Sequence, residues 1–316
     1  MEFSSTTSTM KYAYFFALLS VLTLMGCQSE QEKAQSQITE LEKQLEDDPK
    51  TEKAQEVLEA YQDYINRFPE DRNATPRYLY RAAALQYRMN RFSSAVSFLT
   101  QSIKDFYESS NTPKSAIFLG DLYQEKLGNE ENATTIYQAL IRAFPDSEEA
   151  KAAHDKLPEG LASLESRIEE MGSQMFDDST GRIEYRAANN FITSAELYAL
   201  ILPKSEGAPD MLYKGAEIAR TIRSFDKALG LYAQINELYP ESTRAPQALF
   251  MRAFTLDSDL KRLDEAKALY EQFVADYPDD DFVDDAHILL ENLGKDDEEI
   301  IRSFTEKNDA EAEEVQ

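Results

Sequence analysis

The chain has 316 residues, with 59 acidic and 33 basic side chains and a formal net charge of −26 at pH 7. A field of this sign repels nucleic acid and anionic lipid head groups, which argues against a nucleic-acid-binding protein. Few glycines and many helix-forming residues predict an all-α fold, and a single cysteine allows no internal disulfide.

The first 26 residues predict a secretion signal. Residues 12–24 form an apolar run behind Lys11, too short for the ~20 residues of a membrane span but suited to the h-region of a signal peptide. The run ends in Leu24-Met25-Gly26-Cys27, which resembles the bacterial lipobox. This resemblance implies that Cys27 is lipidated and becomes the mature N-terminus.

The predicted lipid anchor bears on localisation. Two or three acyl chains hold a protein stably at a membrane, since each buried methylene contributes about 0.8 kcal/mol. Gln28 follows the cysteine in place of the aspartate that retains lipoproteins in the inner membrane of enteric bacteria. We therefore expect an outer-membrane protein that faces the periplasm, with the cell surface as the alternative. Met10 is an alternative start to Met1.

A phrase of seven positions recurs along the rest of the chain. Its clearest copy consists of Ala266, Tyr270, Phe273, Val274, Tyr277, Pro278 and Asp279. Further copies lie at 133–146 and 228–241, a fourth ends at 68–70, and a degenerate one covers 95–107. Pro240 and Pro278 are 38 residues apart, and a fixed period in this range predicts a helical solenoid. The apolar spacing traces one stripe of an α-helix, which the proline ends.

A second helix precedes the phrase. Leu119-Gly120 and Tyr123 lie before a turn at Gly128-Asn129 and then Ala133, a pattern that resembles the tetratricopeptide repeat (TPR). The resemblance implies a right-handed solenoid of helix pairs, with partner proteins bound on a face lined by the first helices. The period near 38 rather than 34 resembles the TPRs of bacterial cell-envelope proteins. Among these are the TPR lipoprotein of the outer-membrane β-barrel assembly machinery and the periplasmic TPR coordinator of the Tol-Pal system.

The repeats divide the chain into segments. A signal peptide at 1–26 and an acidic tether at 27–50 precede an N-terminal TPR array at 51–157. A connecting helix and loop at 158–181 lead to a C-terminal TPR array at 182–305, and a disordered acidic tail covers 306–316. Within the segment 27–50, the weak apolar spacing of Ile38, Leu41 and Leu45 indicates a short helix or coiled coil as the alternative to a solvated tether. Helices are predicted near 52–68, 76–89, 92–107, 113–127, 130–144, 148–157, 161–175, 184–202, 209–222, 225–239, 246–259, 263–277, 282–293 and 296–305.

One position of the first helices predicts a partner groove. Aligned on the phrase alanine, these helices place large apolar residues where the TPR family faces its groove. Tyr213 joins this alignment with a shift of one residue, and Phe254 lies one turn further on. The five residues are Leu79, Ile117, Tyr213, Phe250 and Phe254. Burial of this stripe against the next repeat is the alternative. If the groove is open, the acidic field around it favours a basic partner.

No constellation of residues predicts catalysis, a cofactor or a metal. His154 and His287 each lie nine residues after a repeat proline, and we expect both to take part in packing between repeats. The acidic cluster at 279–285 lacks the glycine and terminal glutamate of a calcium loop and suits a helix N-terminus.

The sequence therefore predicts a non-enzymatic, membrane-anchored TPR scaffold that binds partner proteins in the bacterial cell envelope, in outer-membrane protein assembly. A coordinator of cell-wall synthesis or division, like that of the Tol-Pal system, is the alternative. A ligand carrier or an enzyme is a third class.

Overall fold

The computed structural model describes residues 29–176, 182–295, 298, 299 and 302. The predicted signal peptide, Cys27 and the tail at 306–316 lie outside these residues. The described residues form fourteen α-helices and no β-strand, and one isolated antiparallel bridge joins Phe176 and Ile183. The predicted all-α fold of TPR-like helix pairs is confirmed.

The helices are α1 (Glu30–Asp47), α2 (Thr51–Arg67), α3 (Thr75–Arg88), α4 (Phe92–Asp105), α5 (Thr112–Glu125), α6 (Glu130–Ala143), α7 (Glu148–His154), α8 (Leu164–Ser173), α9 (Tyr185–Ile201), α10 (Ala208–Thr221), α11 (Phe225–Leu238), α12 (Arg244–Phe254), α13 (Leu263–Asp276) and α14 (Val283–Asn292). Helices α3, α5 and α10 have a proline in the first turn. Backbone N–H groups in the first turn have no intrahelical acceptor, so proline, which lacks this N–H, costs no hydrogen bond there. Polar N-caps begin α6, α7 and α8.

The repeat proline sets where the second helix of each pair ends. Four such helices, α2, α6, α11 and α13, end one residue before an aromatic C-cap, and the proline follows directly. Helix α9 ends similarly, with Leu202 as its C-cap and Pro203 directly after it. Pro203 lies 37 residues before Pro240, so α9 belongs to the same series. The phrase is hard to recognise in α9, because Ala195 stands where the clearest copy has its tyrosine.

The described helices fall into two compact units that divide between Phe98 and Leu99. In the first unit, α1 packs on α2 and α2 packs on α3. Helix α1 occupies most of the segment assigned to an acidic tether, and that assignment is wrong for these residues. Ala34, Ile38 and Leu45 are buried, because their spacing gives α1 one apolar face for α2 to cover.

In the second unit, the helices on either side of 158–181 pack directly on one another. Helix α6 lies against α9, and the buried hydroxyls of Thr135 and Ser194 are 3.0 Å apart. Helix α8 packs on α9 and takes the place of a first helix. The segment expected to connect two arrays thus supplies one helix of a pair.

The phrase residues form the core, as predicted. Tyr137, Tyr232 and Tyr270 are each at most 1% exposed, and the phrase alanines beside them are buried as well. Gly120 faces the Tyr137 ring so closely that an added Cβ would lie 2.5 Å from Cε1. The Leu-Gly pair therefore exists because this tyrosine fills the space that a side chain at 120 would occupy.

The end of α12 differs from the prediction. The expected helix continues to 259, but residues Thr255–Asp259 form a π-helical turn in which the Leu260 N–H bonds to the Thr255 carbonyl at 3.1 Å. The Thr255 hydroxyl also donates to the Met251 carbonyl at 2.7 Å. The wider turn leaves Leu256 buried in the core with Tyr270.

Candidate partner-binding surface

The five predicted groove residues have different environments. Leu79 in the first unit is fully buried. Phe250 is 7% exposed, and its ring packs on Phe273 at 5.5 Å and on Phe282 at 5.0 Å between centroids. These two residues are core, so their assignment to a groove is wrong.

The remaining three predicted residues keep part of their surface. Ile117 on α5, Tyr213 on α10 and Phe254 at the end of α12 are all partly exposed. Tyr213 and Phe254 lie on two first helices that pack on each other. These two aromatic residues form the centre of the candidate site.

Each of these rings is covered on one side by an arginine from the other helix. The guanidinium carbon of Arg244, at the start of α12, lies 4.7 Å from the centroid of the Tyr213 ring on α10. The guanidinium carbon of Arg220, near the end of α10, lies 5.0 Å from the centroid of the Phe254 ring on α12. Such cation–π contacts contribute about 0.5–1 kcal/mol at exposed sites. We call Tyr213, Arg220, Arg244 and Phe254 the aromatic–arginine surface.

Carboxylates hold both arginines in place. Arg244 donates from Nε and Nη2 to Asp210 Oδ1 at 2.9 and 2.6 Å. Arg220 donates from Nε to Asp259 Oδ2 at 2.7 Å. Lys214 bridges Asp210, at 3.1 Å, and Glu169 of α8, at 3.2 Å. Partial burial acts to raise the pKa of Asp210, but hydrogen bonds from Lys214 and Arg244 outweigh it and lower that pKa. The site therefore has fixed charges at neutral pH.

A cleft of about 890 Å³ adjoins this surface. It lies between the loop that precedes α10 and the loop that precedes α12, and Arg244 and Asp210 line it together with Leu238, which is 50% exposed. The hydroxyls of Tyr239 and Ser242 are buried there without a hydrogen-bond partner among the described residues, and burial raises the pKa of Tyr239 to about 12. The cleft thus continues the aromatic–arginine surface toward the loop edge of the repeats.

Neither arginine is among the groove residues that the repeat pattern predicts. Arg220 lies seven residues after Tyr213, on the same helical face, and this spacing was available from the sequence. Arg244 precedes Phe250 by six residues, and only the packing of α10 on α12 shows that it reaches Tyr213. The reciprocal arrangement is therefore a tertiary feature.

Other predicted features can be located as well. His154 and His287 are both exposed, so the expectation that they pack between repeats is wrong; Ala153 and Ala286 occupy the buried positions beside them. At the acidic cluster, Asp280 accepts a hydrogen bond from the Phe282 N–H at 3.0 Å, just before α14 begins. Across the described part of the chain, no group of three or more histidine, cysteine or carboxylate side chains could hold a metal ion. No helix there has the length and apolarity needed to cross a membrane.

Comparison with known proteins bears on the repeats. The family model for the tetratricopeptide repeat matches residues 119–147 and 247–280. These two stretches are tetratricopeptide repeats. The first contains the Leu119-Gly120 pair and α6, and the second contains Phe250, Phe254 and α13. TPRs imply a protein–protein interaction scaffold.

Among solved structures, the chain is similar to the TPR2AB domain of yeast Sti1, determined in a complex with pHSP90. The sequences are 16% identical, the match covers 81% of this chain and 97% of that one, and the TM-score is 0.29. No curated protein matches this chain in sequence.

Proposed function

We propose that this protein is a lipid-anchored TPR scaffold of the bacterial cell envelope that binds a segment of a partner protein across α10 and α12. The observation that carries this proposal is the pair of partly exposed rings, Tyr213 and Phe254, each held by an arginine of the opposite helix. The lipobox-like Leu24-Met25-Gly26-Cys27 supports the anchor, and the 38-residue period supports an envelope role in outer-membrane protein assembly.

The chemistry of the surface indicates how a partner segment binds. The exposed parts of the Tyr213 and Phe254 rings suit apolar or aromatic side chains, which lose water on contact. Glu169 and Asp259 are already paired with Lys214 and Arg220, so the attraction for basic side chains comes from the net negative charge of the whole chain. The partner segment is therefore amphipathic, with apolar anchors toward the rings and basic residues around them.

The binding proposal is tested with Tyr213→Ser and Phe254→Ser combined in the full-length protein. Because both side chains are partly exposed, we expect the melting temperature to fall only slightly while the partner is lost from pull-downs of the membrane-extracted protein. Phe250→Ser is the matched control, since it removes a buried ring of the same helix and should lower the melting temperature by a large amount. Retention of the partner by the double variant contradicts the proposal.

The identity of the captured partner tests the envelope role. Mass spectrometry of proteins that bind the wild type and not the double variant should identify components of outer-membrane protein assembly. Recovery of cell-wall synthesis or division proteins instead assigns the protein to the alternative role.

The anchor is tested independently through Cys27. Cys27→Ser should abolish metabolic labelling with a palmitate analogue and move the protein from the membrane fraction to the soluble fraction or leave it unprocessed. Labelling that persists in this variant excludes lipidation at Cys27 without affecting the binding proposal.

A further inference from the structure

One stretch of this acidic chain has the opposite charge. Residues 72–104 contain no aspartate or glutamate, whereas the whole chain has a net charge of −26. The basic residues in this stretch are Arg72, Arg77, Arg81, Arg88, Arg91 and Lys104. The five arginines belong to the first unit and lie within or next to the ends of a single helix, α3 (Thr75–Arg88).

The arginines share one side of α3. Arg77, Arg81 and Arg88 are separated by intervals of four and seven residues, which place them in one stripe of an α-helix. Arg72 lies just before the helix and Arg91 just after it, and all five side chains are exposed. We call these five residues the arginine face.

Within residues 29–176 and 182–295, most of the arginine face has no carboxylate partner. Arg81 pairs with Glu42 at 2.6 Å. Arg77 stacks on the Tyr78 ring at 5.1 Å, and Arg91 donates to the amide oxygen of Gln55 at 2.9 Å. Among the described residues, no carboxylate lies within salt-bridge distance of Arg72, Arg77, Arg88 or Arg91. This contrasts with Arg220 and Arg244 of the aromatic–arginine surface, which carboxylates hold on both helices.

A shallow groove of about 480 Å³ runs beside the arginine face. Leu45, Val57 and Leu85 contribute its apolar lining, Arg81 and Arg88 form one wall, and Glu42 and Glu46 of α1 form the other. Glu42 is already bonded by Arg81 and by the Tyr61 hydroxyl. The groove thus provides apolar contact at the edge of a row of available guanidinium groups.

We propose that the arginine face binds an Asp/Glu-rich segment of a partner polypeptide. Each guanidinium presents a planar set of donors that matches a carboxylate, and four of these sets have no carboxylate partner in the part of the chain that the structure describes. Within about one Debye length, near 8 Å at physiological salt, a short segment experiences mainly the local positive field. An extended polyanion or an anionic membrane experiences the net negative charge of the whole protein, which repels it. The acidic segment is therefore favoured over nucleic acid and lipid.

This surface differs from the one in the proposed function in its unit, its residues and the charge of its partner. The two proposals stand or fall separately, because variants of α3 leave Tyr213 and Phe254 unchanged.

The test measures binding of a fluorescein-labelled hexaglutamate peptide to the full-length protein by fluorescence anisotropy. Wild type should bind the peptide, and raising NaCl should weaken the binding. Arg77→Gln combined with Arg88→Gln should weaken it at least about fivefold, since each exposed ion pair contributes up to about 1 kcal/mol. The control combines Lys43→Gln with Arg186→Gln, which removes the same charge from exposed positions outside α3 and should change affinity less than about twofold.

Several results overturn the proposal. The proposal is contradicted if the wild type does not bind the peptide. It is also contradicted if the α3 variant and the control variant weaken peptide binding equally. Binding to vesicles of anionic phospholipid that is lost in the α3 variant, without peptide binding, assigns the face to a membrane. If deletion of 306–316 raises peptide affinity more than about tenfold, and only when Arg77 and Arg88 are present, the occupant is the chain's own acidic tail. Circular dichroism melting of each variant confirms that folding is retained.

Discussion

At the scale of single residues, the buried tyrosines do more than fill the core. Several donate their hydroxyl to a carboxylate on the preceding helix of the pair: Tyr137 bonds Asp121 at 2.7 Å, Tyr198 bonds Glu165 at 2.9 Å, and Tyr232 bonds Glu217. Tyr270 occupies the same position of the phrase as Tyr137 and Tyr232, but its buried hydroxyl has no partner among the described residues. The repeated phrase therefore has one member whose polar atom is buried at a cost.

This difference predicts opposite effects of the same substitution. Tyr137→Phe removes a charge-assisted hydrogen bond and should lower the free energy of unfolding by about 1–2 kcal/mol. Tyr270→Phe removes an unpartnered hydroxyl and should leave that free energy unchanged or raise it by up to about 1 kcal/mol. Tyr137→Ala, which also empties the space beside Gly120, should cost about 3–5 kcal/mol. Urea denaturation of the three variants measures these differences, and equal losses for both phenylalanine variants would refute this account.

A carboxylate in the first unit predicts a pH dependence. Partial burial acts to raise the pKa of Asp71, but hydrogen bonds from the Tyr64 hydroxyl, the Ala74 and Asn73 N–H groups and Gln31 outweigh it and lower that pKa from its ordinary value. A lowered folded-state pKa stabilises the protein above the unfolded-state pKa, and this stabilisation is lost as the pH falls through the folded-state value.

Asp71→Asn should therefore melt below wild type at pH 7, and the gap should narrow as the pH is lowered from about 5 toward 3. Glu70→Gln, at the exposed neighbouring position, serves as the control and should follow wild type at each pH. If thermal melts show the same difference in melting temperature between Asp71→Asn and wild type at every pH in this range, this account of Asp71 is contradicted.

At the scale of helical elements, the turn inside each pair has a common backbone conformation. Four residues with φ between 56° and 63° lie five positions before a phrase alanine: Asn90, Gly128, Arg223 and Lys261. After Asn90 and Arg223, the next N–H bonds back five residues along the helix, to Gln86 and Ala219. This arrangement is a Schellman motif, which ends the first helix and directs the chain into the second.

The left-handed conformation is costly for residues with a Cβ, so Lys261→Gly should stabilise the protein. Relief of about 1–2 kcal/mol of steric strain exceeds the entropic cost of glycine, about 0.5–1 kcal/mol, and the net gain should be up to about 1 kcal/mol. Gly128→Ala reverses the change at the equivalent turn and should destabilise by a similar amount. Melting curves of the two variants should thus move in opposite directions, and a shared direction contradicts the interpretation of these turns.

At the scale of the whole molecule, electrostatic repulsion opposes the folded state. The formal charge of −26 is the excess of 59 acidic over 33 basic residues, and most of the ion pairs among the described residues join partly or well exposed side chains. Exposed pairs of this kind contribute about 0–1 kcal/mol each. Repulsion between the remaining carboxylates therefore dominates the salt dependence of stability.

Raising NaCl from about 10 to 150 mM shortens the Debye length from about 30 to 8 Å and screens this repulsion. The melting temperature of the full-length protein should rise over this range by about 2 °C or more. KCl at equal ionic strength should have the same effect, because screening depends on charge and not on the ion. A fall in melting temperature with salt would show that attractive pairs outweigh the repulsion.

Much of the fold follows from local pattern. The phrase residues Ala266, Tyr270 and Phe273 are buried because intervals of three and four residues place them on one face of any helix they form. A proline directly after an aromatic C-cap ends α2, α6, α11 and α13, and Pro203 after Leu202 ends α9 in the same manner. These features depend on residues close in sequence, so the sequence by itself determined them.

Other features depend on which elements meet. Tyr213 aligns with Phe250 only after a shift of one residue, and the two side chains have different surroundings. Phe273 and Phe282 bury Phe250, whereas Tyr213, with Arg244 over its ring, stays partly exposed. Helix α1 is a packed helix instead of a tether because α2 offers a face that covers Ile38. The exposure of a side chain depends on neighbours that are distant in sequence, and the 38-residue repeat pattern does not predict the size or charge of those neighbours. For this reason the sequence determined the repeat and its core, and only the tertiary structure decided which surface remains for a partner.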